Sequence, residues 1–164
     1  MKPTDTETSQ FSLPLTKLIH ENLSIIMCFA YSQVALRKMR SERVAGEWKY
    51  LDKVMFSVSE ERATRACLEF ALFLRSFDDG EGVSKYIEQS SLNNCGNLFF
   101  KNGTTKALSF REVTNKIIHA ARIEWRIHEG AEPLLICYSR DEERWIRAEI
   151  EIANVSATCG LLMS

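Results

Sequence analysis

Three prolines and seven glycines are few for a chain of 164 residues. That scarcity excludes a collagen-like or Pro/Gly-rich low-complexity chain and leaves room for long, uninterrupted helices. Long apolar runs are lacking too. Spanning a bilayer takes about 20 apolar residues, and the best candidate, 23–36, is interrupted by Ser24, Ser32 and Gln33. Charge of one sign is not in excess: the formal net charge is −1, so any surface for an anionic partner must be a local patch. The five cysteines, Cys28, Cys67, Cys95, Cys137 and Cys159, contain no C-x-x-C unit. Their odd number and wide spacing argue against a disulfide framework or a zinc knuckle. Cys28 and Cys67 fall in apolar helical runs and read as small hydrophobes. A reducing, cytoplasmic setting is expected. The polar, acidic start MKPTDTETSQ lacks the basic and apolar regions of a signal peptide. The sequence contains no Walker loop, dinucleotide fingerprint or G-x-S-x-G motif. His20, His119 and His128 have no metal-ligand spacing. No cofactor and no metal are expected.

What is present reads as one α+β domain over 14–158, with a disordered tail at 1–13 and a C-terminal tail at 159–164. Pro14 opens a helix that runs to about residue 40, with Leu15, Leu18, Ile19, Asn22, Leu23, Ile26, Ala30, Val34 and Leu36 at helical spacing. Arg37, Lys38, Arg40 and Arg43 complement the negative end of its dipole. Residues 44–58 suggest a short amphipathic piece. Ser59 reads as an N-cap followed by a strong helix, whose Ala63, Ala66, Cys67, Phe70, Ala71 and Leu74 define one buried stripe. Asp78–Gly82 reads as the turn that ends it, and 83–92 as a short helix. Asn102-Gly103 suggests a left-handed turn joining strands 97–101 and 104–107. Ser109 and Glu112 have capping-box spacing and start a helix over 110–122. Ile123, Trp125 and Ile127, then 134–138, then Ile146, Ala148, Ile150 and Ile152 predict a three-stranded antiparallel meander with one face on the helices. Trp125 and Trp145 fall on these strands, facing each other or leaving Trp145 exposed.

The chemistry-bearing stretch is TNKIIHA, 114–120. Residues four apart on a helix are offset by about 40° and 6 Å, so Arg111, Asn115 and His119 form a polar stripe. A histidine exchanges protons near neutral pH, an asparagine orients it, and an arginine stabilises a phosphate or a developing anion. Such a set could cut RNA by activating a 2′-hydroxyl. The bland alternative has Arg111 paired with Glu69, Asp78 or Asp79, Asn115 tied to a neighbouring loop such as the 97–107 hairpin, and His119 packed at the helix end.

NKIIHA resembles the C-terminal helix motif of HEPN-type domains, helical bundles that are often dimeric and many of which are ribonucleases of toxin and defence systems. The resemblance implies that Asn115 takes the place of the family's polar residue and His119 that of its histidine. Thr114 stands where the family has an arginine, and Arg111 is the nearest substitute. The resemblance covers about six residues. The segments ATRACLEFALFLRSFDD and LSFREVTNKIIHA also resemble uncharacterised bacterial proteins. Two functions are therefore expected. The first is a non-catalytic interaction module that binds a protein partner or a second copy through the sheet face or the groove beside Arg111 and Asn115, with Lys116, Arg65 and Trp145 as binding contacts. The second is a HEPN-like, metal-independent ribonuclease or a decayed relative acting on RNA, with Arg111, Asn115 and His119 as catalytic residues. No membrane partner is expected.

Overall fold

In the computed structural model, residues 14–163 are described; the tail expected at 1–13 lies outside them. Helix α1, Leu15–Arg43, has 29 residues without an internal Gly or Pro. Its buried residues Ile19, Asn22, Leu23, Ile26, Phe29, Ala30 and Gln33 lie on one side. That side packs against α3, Ser59–Glu81, whose buried Ala63, Ala66 and Ala71 are small enough to let the two backbones approach.

Ser59 does not cap α3. The segment before it is already helical: α2, Lys49–Asp52, passes through a π-helical turn, Lys53–Val58, directly into α3. The Ser59 hydroxyl donates back to the carbonyls of Met55 (2.5 Å) and Phe56 (3.1 Å), occupying acceptors that the widened turn frees. The far end also differs from expectation, because the helix continues through Asp78 and Asp79. It stops at Gly82, which has φ +65° and donates its N–H to the Asp78 carbonyl at 2.7 Å. Two short 3₁₀ turns, Val83–Ile87 and Ser91–Asn93, lead into the sheet.

The sheet has five strands rather than the three of the expected meander. The meander itself is present as β3, Ala120–Arg126, β4, Leu134–Ser139, and β5, Arg147–Glu151. The hairpin strands β1, Asn94–Phe99, and β2, Thr105–Ser109, join it because β1 pairs antiparallel with the free edge of β5. The order is β2-β1-β5-β4-β3. A lone two-stranded hairpin is barely stable in water, and docking on β5 gives it a sheet. The turn is also longer than predicted. Only Gly103 is left-handed, at φ +81°, and the Asn102 side chain accepts from the Thr104 N–H at 3.0 Å.

Helix α4, Phe110–Ile118, is shorter than the expected 110–122, since the chain turns at His119 directly into β3. The C-terminal tail expected from 159 is instead part of α5, Ile152–Leu162, which buries Val155 and Cys159 in the core. One face of the sheet (Leu98, Leu135, Cys137, Ala148, Ile150) shares a core with Phe70 and Leu74 of α3 and with Phe110, Val113 and Ile117 of α4. On the other face, Phe99, Arg147, Tyr138 and Arg122 form a row across four strands. Each guanidinium there lies over a ring at 4.1 Å, Arg147 on Phe99 and Arg122 on Tyr138. Among the described residues, no helix is long and apolar enough to cross a membrane.

Candidate functional site

The capping box is present: the Ser109 hydroxyl accepts from the Glu112 N–H, and the Glu112 carboxylate accepts from the Ser109 N–H at 3.0 Å. It fixes which residues of α4 face the core and which face outward. Thr114 faces the core, 2 % exposed, and its hydroxyl donates to the Arg111 carbonyl at 2.9 Å. The position that the HEPN motif gives to an arginine is thus an interior one.

The predicted stripe divides in two. Arg111 leans toward α3, donating to the buried Asp78 at 2.5 Å and pairing with Asp79. Asp78 also accepts from the Ser84 N–H (2.7 Å) and hydroxyl (2.9 Å). Burial opposes the Arg111 charge, but the hydrogen bonds it donates to Asp79 and Asp78 hold its ionisation above the usual range. In turn, Arg111 and Arg75 hold the Asp79 carboxyl below the usual range. Asn115 accepts from Arg75 of α3 rather than from the hairpin. Arg111 therefore ties α4 to α3 through Asp78 and Asp79. His119 is not inside the helix. It is the C-cap residue, exposed, with its N–H donating to the Asn115 carbonyl at 3.0 Å.

Asn115, Lys116 and His119 line one cleft of about 620 Å³. Its other walls are Leu98 and Phe100 of the hairpin, Lys106 of β2, and the β4–β5 loop with Arg140, Asp141, Arg144 and Trp145. Trp145 lies on that loop, not on a strand, and is 7 % exposed. It does not face Trp125, which stacks edge-on with Phe29 at 4.9 Å and donates its indole N–H to Thr64 at 3.1 Å. The Lys116 ammonium sits over the Trp145 ring, 4.7 Å from its centroid. Desolvation pushes the Lys116 pKa down, partly offset by attraction to Glu112.

The cleft carries the cations Lys106, Lys116, Arg140 and Arg144 against the acids Glu112 and Asp141. Lys106 pairs with Glu112 at 3.0 Å and Arg144 with Asp141 at 3.3 Å. Among the described residues, Lys116 and Arg140 form no ion pair. The Glu112 carboxyl is opposed by burial, yet bonds from Ser109 and Lys106 keep it below its usual range. Arg65 does not share this site. It pairs with Glu69 at 3.3 Å beside a separate α1–α3 cleft. Reading the sequence missed Lys106, Arg140 and Arg144. Lys106 was legible only from strand alternation, and the loop arginines reach the site through the fold.

Four of the five cysteines are buried thiols and Cys28 is exposed, so Cys28 is not the interior hydrophobe expected. Among the described residues, no cluster of His, Cys, Asp or Glu could hold a metal ion. Comparison with known proteins finds no matching family model, no matching curated protein and no matching solved structure.

Proposed function

We propose that this protein is a non-catalytic binding module that takes an anionic group of its partner in the cleft beside α4. One observation carries this reading. The Lys116 ammonium is partly desolvated and fixed over the Trp145 ring, and the acid that attracts it, Glu112, is already paired with Lys106. A cation held that way is electrostatically unsatisfied, and an incoming anion restores the balance in a setting where charge-assisted bonds are strong. Arg140 supplies a second free cation on the opposite lip. The test is fluorescence anisotropy with labelled poly-L-glutamate and labelled oligouridylate at low salt. Wild type binds one of the two, and Lys116→Met with Arg140→Ala weakens that binding at least tenfold. Absence of binding to both probes sinks the reading.

A HEPN-like ribonuclease, or a decayed relative, is the second reading. It is favoured by His119 and Asn115 lining the same cleft as Lys116. With Thr114 buried and Arg111 committed to Asp78 and Asp79, Lys116 or Arg140 must provide the cation on the scissile phosphate. Wild type then cuts RNA, and His119→Ala abolishes cutting without changing the melting temperature.

A further inference from the structure

The two edges of the sheet are finished differently. The β3 edge carries Arg122, Glu124 and Arg126, all engaged in charge pairs. Charged side chains of this kind blunt an edge against pairing with another strand. The β2 edge carries a single charge, Lys106, paired with Glu112 on the α4 side, between the exposed, small, uncharged Thr105 and Ala107. Its backbone is directed outward at those residues. Phe100 donates to the Thr104 carbonyl at 3.0 Å, and Leu98 stands opposite Lys106. The alternation of antiparallel pairs then turns the Lys106 amide toward β1 and the N–H and C=O of Thr105 and Ala107 toward the open side. Consistently, the next odd residue, Ser109, sends its N–H to Glu112. Lys106, between the two, extends from this same edge into the cleft.

Resting on the binding-module reading, we infer that the partner is an extended acidic peptide segment that adds to β2 as a sixth strand. Its main chain bonds to Thr105 and Ala107. Its alternate side chains, carboxylates two residues apart, turn inward toward Lys106 and the unpaired Lys116 and Arg140. Strand addition explains affinity through main-chain bonds and specificity through a pocket for alternate side chains. The charge balance of the cleft selects acids.

The experiment uses the full chain and a labelled pool of ten-residue peptides with Asp or Glu at alternate positions and mixed residues between. A second pool has the intervening amides N-methylated, which keeps the charge but removes the donors of one strand edge. Labelled oligouridylate is the third probe. The first pool binds, and N-methylation weakens binding at least tenfold. Ala107→Pro, which deletes an outward N–H at an edge position where proline is tolerated, weakens it similarly. If this variant melts early, the N-methylated pool on wild-type protein decides. Equal binding of both pools overturns strand addition and leaves the anion-binding reading standing. Binding of oligouridylate alone does the same. Binding of none of the three probes overturns both.

Discussion

Replacing Gly96 with alanine tests the joint that carries the hairpin onto the sheet. Gly96 lies in β1 at φ +142°, where the β1–β2 register shifts between Asn94 and Asn97. A Cβ built there falls 2.0 Å from the Glu149 carbonyl oxygen, 3.0 Å from its carbon and 3.2 Å from the Ile150 Cα. All three atoms are backbone of the central strand β5, so no side chain can swing aside. Holding a non-glycine residue in such a conformation costs about 1–3 kcal/mol. Overpacking against rigid neighbours costs about 1–3 kcal/mol more. The sum, about 2–6 kcal/mol, is a large part of the roughly 5–15 kcal/mol that holds a domain together. At about 2–4 °C per kcal/mol for a chain of this size, Gly96→Ala should melt about 5–20 °C below wild type. Gly103→Ala is the control, since its φ is also positive but nothing lies within 4 Å of its Cβ. It should lose only the conformational part, about 1–3 kcal/mol or about 2–12 °C, and so melt above Gly96→Ala. The assay is a thermal melt with urea titration, plus hydrogen exchange at Asn97 and Phe99, whose amides face β5 and report the β1–β5 ladder. If Gly96→Ala melts within 2 °C of wild type, β1 does not cross β5 as described and the account of how Lys106 and Phe100 reach the cleft fails with it.

Asp78→Ala leaves Arg111 with only the exposed Asp79 and strands the Ser84 N–H; because Arg111 is one-third exposed, we expect a loss of about 2–3 kcal/mol in urea unfolding. Glu112 has a lowered folded-state pKa, so its contribution is present above the unfolded carboxyl value near 4.3 and disappears as pH falls through the folded one. Melts of wild type and Glu112→Gln should therefore differ at pH 7 and draw together as the pH falls below the unfolded value and through the lower folded one. Under native conditions a thiol reagent should modify Cys28 rapidly and the others only after unfolding. Burial keeps Cys67, Cys95, Cys137 and Cys159 from solvent, and desolvation raises the thiols of Cys95 to about 11 and of Cys137 and Cys159 to about 12. Four fast-reacting thiols would refute the packing of the core.

Local pattern carried the reading where local forces decide. The stripe from Ala63 to Leu74 and the Ser109–Glu112 box lie within a few residues of one another, and each forms as its spacing requires. Errors fell where distant contacts overrode local preference. Ser59 has N-cap chemistry, but a helical turn already precedes it. The run IIHAARIEW continues a helical pattern beyond Ile118, yet Ala120 onward gains a ladder with β4 and leaves the helix. Ile152 continues the alternation of β5, but the chain has passed the sheet edge and coils into α5. That β1 would choose β5 was not written in either segment, because strand pairing at such separation depends on the whole sheet.

The polar stripe of α4 shows the same division inside the site. Helical spacing suggested one stripe of Arg111, Asn115 and His119, but His119 caps the helix rather than continuing it, and spacing does not say what each residue meets. The first turn meets the acidic end of α3, and Asp78 and Asp79 neutralise Arg111 there. The last turn meets the loop residues Arg140, Asp141, Arg144 and Trp145 across the cleft, where Asp141 is already paired with Arg144. The capping carboxylate Glu112 stands between them, occupied by Ser109 and Lys106. With those pairs closed, the cation of α4 left outside an ion pair is Lys116, a binding contact expected from the sequence, and it lines the cleft to which the proposed anion-binding role assigns it.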